Sequence, residues 1–175
     1  MEQNRNAFTL IEMLVVVLII GILAAVTVPQ YQKAVIKSKY IQLMAFGNAI
    51  AKAANAYYLE NGIYPARFDE LAIDLPLRGT DGNLGHGKGT KKTYQDYTCE
   101  ISSGMTDRAD AVVCHLTISG KRLSYRQKYQ SARWTCMATT TWDLGNKICQ
   151  NMTGKTKTET YYGEQSEAQA VYEFE

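Results

Sequence analysis

The sequence predicts an α+β protein: one long, kinked N-terminal α-helix packed on a small antiparallel β-sheet head. Three observations predict it. An apolar run near the start passes without a break into a stripe of apolar residues at helical spacing. From Thr93 onward the pattern changes to alternation, the period of strands. All four cysteines, Cys99, Cys114, Cys136 and Cys149, lie in this second part.

The chain has 175 residues, the length of one ordinary domain, and a formal net charge of +2. Lys and Arg are spread along it, with no basic block to mark a nucleic-acid footprint. Mean hydropathy is slightly negative, and the apolar content is concentrated at one end. No two cysteines form a CxxC pair, which speaks against a zinc ribbon or a dithiol redox motif. An even number of cysteines downstream of a membrane segment fits disulfides in an oxidising compartment. The alternative is four buried thiols in a cytosolic domain.

The apolar run Met13 to Val28 reads MLVVVLIIGILAAVTV. As a helix it spans about 24 Å, short of a hydrocarbon core of about 30 Å. Extending it back to Ala7 gives about 33 Å, which spans and places Glu12 inside. A cleaved secretory signal needs a basic flank and a small-residue site after the run, and both are weak here. A plain anchor explains the length but not Glu12, because an ionised carboxylate in hydrocarbon costs several kcal/mol unless paired. The third reading is a segment that leaves the bilayer and finds a partner for Glu12 in an assembly.

Ala7-Phe8-Thr9-Leu10-Ile11-Glu12, the apolar helix, Pro29 and Tyr31 together resemble the N-terminal signal of type IV pilins and pseudopilins. The resemblance implies a leader over residues 1–7, cut by prepilin peptidase between Ala7 and Phe8. The new amino group of Phe8 would then be methylated. The family's usual residue before the cut is glycine, and this chain has Ala7. Residues 8–30 would serve first as an anchor in the lipid bilayer and later as the core of a helical homopolymer. Glu12 would pair with the Phe8 amine of a neighbouring subunit. In a dry, low-dielectric core such a pair fixes axial register.

The helical stripe continues through Ile36, Tyr40, Leu43, Gly47, Ile50, Ala54 and Tyr57, with a stop signal at Asn61-Gly62. A helix from about Phe8 to about Glu60 is a rod of about 80 Å. Pro29 is expected to kink it, with Gly21 and Gly47 as further weak points. Residues 31–61 are its head-packing half, and residues 62–175 the head. NGIYPARFDEL reads as a turn and a short helix, and resembles the same stretch of many pilins and pseudopilins. The glycine-rich stretch Gly79 to Thr90 and the Thr153-Gly154-Lys155-Thr156 segment read as loops, since neither meets the phosphate-loop pattern. Asp81 and Asn83 are too few oxygen ligands for a calcium site. His86 and His115 read as surface residues. Asn151-Met152-Thr153 matches a glycosylation sequon, a triplet frequent by chance.

Strands are expected at Tyr94–Ile101, Ala111–Ser119 and Arg122–Tyr129, with a tight turn at Ser119-Gly120. If the first hairpin is centred between Thr106 and Asp107, Cys99 and Cys114 face each other. Four cysteines allow three connectivities. This register favours Cys99–Cys114 and leaves Cys136–Cys149 to close a loop holding Trp142 and Lys147. Such a loop resembles the one on type IV pilin heads. The polar, acidic tail Gly154 to Glu175 reads as a last strand or a partly loose end.

The leading expectation is a structural subunit of a type IV pilus, not an enzyme, without cofactor or metal. Adhesion, motility and DNA uptake are all open, and so is nucleic acid as a partner. The resemblance implies an inner-membrane assembly platform as partner. It also implies a single-pass location in the bacterial inner membrane with the head outside, then an extracellular pilus or a periplasmic pseudopilus. Lys33, Lys37 and Lys39 after the run, against Arg5 and the initiator amine before it, point to the opposite orientation on a simple count. The disulfides and the resemblance outweigh that count. The rivals are a pseudopilin of a type II secretion system and an unprocessed membrane-anchored periplasmic domain.

Overall fold

The computed structural model describes residues 9–74, 81–83, 89–94, 96–102, 110–161 and 168–174. The chain divides into two units, Met1–Ser38 and Lys39–Glu175. Helix α1, Leu10–Asn61, begins in the first and ends in the second.

Within the first unit every residue from Thr9 to Ala34 is exposed. Large aliphatic side chains stand in the open, from Val15 at 45% to Leu10 at 82%. Leu, Ile, Val and Ala occupy all faces of this part, so it has no polar side to turn to water. Pro29 lies inside the helix without ending it. Its ring removes the amide proton that the Ala25 carbonyl would accept. Two residues earlier, the Thr27 hydroxyl donates back to the Leu23 carbonyl at 3.0 Å.

Within the second unit α1 has a sided pattern. Tyr40, Leu43, Gly47, Ile50, Ala51 and Ala54 are buried. That is the middle of the stripe expected from the sequence, with Ala51 added; its two ends, Ile36 and Tyr57, are only half-buried. The helix closes at Gly62, whose φ of +72° suits a residue without a Cβ. The Gly62 amide donates to the Tyr58 carbonyl at 2.8 Å and the Asn61 side-chain amide to the Tyr57 carbonyl at 3.0 Å. A short 3-10 turn at Phe68–Glu70 follows, as NGIYPARFDEL suggests.

The sheet has strands β1 Asp81–Asn83, β2 Gly89–Tyr94, β3 Tyr97–Ser102, β4 Ala111–Ile118, β5 Lys121–Lys128, β6 Trp134–Thr139, β7 Glu159–Tyr161 and β8 Gln169–Phe174. Their spatial order is β1-β2-β3-β4-β5-β6-β8-β7, and every pairing is antiparallel. Helix α2, Asp143–Thr153, connects β6 to β7. The β4–β5 turn uses Ser119 and Gly120 at φ +50° and +77°, the left-handed pair that matches strand twist.

One row across the sheet organises the core. Cys99, Cys114, Tyr125, Cys136 and Tyr172 are in register on five neighbouring strands. The part of helix α1 that belongs to the second unit lies on this face. The Tyr40 hydroxyl donates to the Ser124 carbonyl at 3.4 Å, and Phe46 meets Tyr97 edge-on at 6.2 Å. Helix α2 lies on the same face over β6 and β8, where the Tyr172 hydroxyl donates to Asn146 Oδ1 at 3.1 Å. The disulfides are Cys99–Cys114 and Cys136–Cys149, the pairing that the hairpin register favours.

Gly47 is not a weak point of the helix. A Cβ there would stand 2.4 and 2.5 Å from Tyr125 Cδ1 and Cε1. Its absence lets α1 approach the sheet closely. We expect Gly47→Ala to destabilise the head by about 1–2 kcal/mol, because overpacking outweighs the gain of up to about 1 kcal/mol in helix propensity. A double-mutant cycle with Tyr125→Ala reads the coupling. Additive effects would contradict the close approach.

Tyrosine burial gives the head an alkaline limit. Burial raises the Tyr40 phenol well above its ordinary value and pushes Tyr125 up to about 12. Burial also raises Tyr97, Tyr129 and Tyr172. Raised folded-state values mean that this stability is complete below about pH 10 and is lost as pH rises through the folded values. Absorbance at 295 nm followed together with circular dichroism should show the buried phenols ionising only as the fold is lost, near or above pH 12.

Candidate functional site: the N-terminus of helix α1

Ala7 and Phe8 lie outside the described residues, and the site begins at Thr9. Thr9 is the residue before the first turn of α1, and Glu12 is the third residue of the helix. The Thr9 amide donates to Glu12 Oε2 at 2.8 Å, and the Thr9 hydroxyl to the same oxygen at 2.7 Å. In return the Glu12 amide donates to Thr9 Oγ1 at 3.3 Å. This reciprocal arrangement is a capping box, T-x-x-E, and it satisfies two amide donors that a helix start otherwise leaves open. The sequence reading assigned Glu12 a partner in another subunit and missed this intramolecular one, although Thr9-Leu10-Ile11-Glu12 carries the motif.

The arrangement has a chemical consequence. A carboxylate at a helix N-terminus also complements the helix dipole. Both Thr9 donors converge on Oε2, so the carboxylate is held in one orientation. Behind it runs the exposed apolar helix, the one described helix long and apolar enough to cross a membrane.

Other residues singled out in the sequence fall elsewhere. Thr153-Gly154 is not a loop but the end of α2, with Gly154 at φ +69° as its cap. The loop expected between Cys136 and Cys149 is the end of β6, a short turn and the first half of α2. The glycine-rich stretch contains β1 and the start of β2; its residues 84–88, with His86, lie outside the described residues. His115 is not a surface residue. Its Nδ1 is 3.0 Å from Ser124 Oγ and its Nε2 3.3 Å from Glu100 Oε1, which ties β3, β4 and β5 together. In the sequon, Thr153 is buried and its hydroxyl donates to the Cys149 carbonyl at 2.8 Å. Among the described residues no three His, Cys, Asp or Glu side chains gather to hold a metal ion.

A membrane-length helix with a capped carboxylate at its start and a disulfide-stapled β head at its end defines a pilin-like protein. Residues 3–28 match the family model described as the prokaryotic N-terminal methylation motif. The chain is 28% identical over 138 residues to the type IV major pilin protein PilE1 of Neisseria gonorrhoeae, covering 78% of each chain. It is 30% identical over 119 residues to a fimbrial protein of Pseudomonas aeruginosa, covering 68% of this chain and 71% of that one. It is 38% identical over 79 residues to the fimbrial protein EcpC of Eikenella corrodens, covering 45% and 52%. The chain belongs to the type IV pilin family.

Proposed function

We propose that the chain is a structural, non-enzymatic subunit of a type IV pilus. In this reading residues 1–7 are a leader that prepilin peptidase removes by cutting between Ala7 and Phe8, and the Phe8 amine is methylated. Residues 8–30 anchor the subunit in the inner membrane, with residues 31–175 outside the cytoplasm. On an assembly platform the same helix then leaves the bilayer and packs into a filament core. Glu12 pairs there with the Phe8 amine of a neighbour.

One observation carries the reading. The first part of α1 is apolar on every face and exposed throughout, yet starts with an ordered carboxylate. A cap alone can be made by an uncharged glutamine at this position, whereas a helix that must find one register among copies of itself has a use for the charge. The names of the relatives, pilins and fimbrial proteins, support a surface pilus over a secretion pseudopilus.

Mechanical shearing of cells tests the choice. Filaments at the surface should carry this chain, and it should sediment with them after shearing. A chain that stays in the cell envelope while surface pili are shed would overturn the pilus assignment.

A further inference from the structure

The lysines that follow the apolar run have no role in the reading above, and they run against the usual charge rule for membrane orientation. Lys33 and Lys37 are exposed and lie one helical turn apart, on one face of α1. Tyr31, 72% exposed, lies on the opposite side of the helix. Lys39 differs: its Nζ is 2.9 Å from Asp96 Oδ2. Lys33 and Lys37 have no such partner among the described residues.

From these positions we infer that Tyr31, Lys33 and Lys37 form a collar that binds the phosphate headgroups of anionic lipid on the side of the bilayer facing the head. The inference rests on the membrane-spanning reading of the apolar run. The spacing supports it. Tyr31 stands about 4.5 Å and Lys33 about 7.5 Å beyond Val28 along the axis. The headgroup layer is about 5–8 Å thick on each side. Helical side chains lean toward the N-terminus, here toward the bilayer, so Lys37 covers the turn that carries Lys33. Its aliphatic stem can follow the helix while the ammonium reaches phosphate. Tyrosine has the amphipathic ring that suits this depth. Two cations on one side of the helix and a neutral ring on the other complement an anionic surface, and no carboxylate lies between Glu12 and Glu60 to oppose them. The collar fixes how deep the helix sits before assembly, and its lysines are released with the lipid when the subunit leaves.

The test reconstitutes the full chain in nanodiscs of phosphatidylcholine containing spin-labelled phosphatidylglycerol or spin-labelled phosphatidylcholine. Electron paramagnetic resonance gives the preference of the protein for the anionic lipid. Wild type should prefer phosphatidylglycerol at low salt, and each of Lys33→Gln and Lys37→Gln should reduce that preference by up to about fivefold. Lys52→Gln, farther along α1, should leave it unchanged, and Arg5 contributes equally to all variants. Preference lost in 0.5 M salt (screening length about 4 Å) supports the collar. An unchanged preference in the double variant overturns the collar and leaves the membrane reading intact. Unchanged preference with reduced pilus yield would assign these lysines to a neighbouring subunit instead. A chain that does not enter the discs overturns both.

Discussion

Replacing Glu12 by glutamine should abolish pili while leaving the subunit intact. Glutamine can hold the third position of a capping box, so the bonds with Thr9 survive the change. What disappears is the charge. A filament core that buries the Phe8 amine then holds an unpaired cation, and removing one partner of a buried pair costs about 3–5 kcal/mol. At about 1.4 kcal/mol per factor of ten, pilus yield should fall at least about a hundredfold. The head should melt at the wild-type temperature. Glu12→Ala loses both charge and cap, and should behave like the glutamine variant in assembly. If Glu12→Gln assembles normally and Glu12→Ala does not, the carboxylate serves the helix cap, and the intersubunit pair is wrong.

Loss of the Cys136–Cys149 disulfide should cost the head about 3 kcal/mol in the chain-entropy model. For a chain of this size that is a fall of roughly 6–12 °C in melting temperature. The damage should be local first. Helix α2 has 11 residues, too few to be stable alone. Besides the disulfide, Asn146 holds it: its side-chain amide donates to the Thr139, Thr140 and Trp142 carbonyls. The bond from Tyr172 completes the attachment. In a Cys136→Ala/Cys149→Ala variant, hydrogen exchange should rise across Asp143–Thr153 before it rises in β3 to β5. Uniform loss of protection would mean that α2 is integral to the sheet's own stability.

The parts that were legible in the sequence are those whose physics is periodic. The α1 stripe from Tyr40 to Ala54 is a plain 3.6-residue pattern, and its partner is the sheet that it predicts. The Cys99–Cys114 pairing followed from strand register because two facing cysteines on one side of a hairpin have little other choice. Helix α2 was hidden because its buried positions are Gly145, Ile148, Cys149 and Thr153, only one of them strongly apolar. Gly145 is small for a reason visible only in three dimensions: a Cβ there would stand 2.6 Å from the Trp142 ring. Gly47 misled in the same way, since glycine in a helix reads as weakness until the ring of Tyr125 is placed against it. His115 was misplaced because alternation assigns a residue to a sheet face without revealing how crowded that face is. At the N-terminus, the Thr9–Glu12 cap was written in the sequence and overshadowed by the apolar run behind it.

The most direct measurement of the central claim is the intact mass and N-terminal peptide mass of the chain recovered from sheared surface filaments. The account predicts a chain beginning at Phe8, carrying one added methyl group and lacking four hydrogens for its two disulfides. A chain still beginning at Met1, with an unmodified amine, would contradict it.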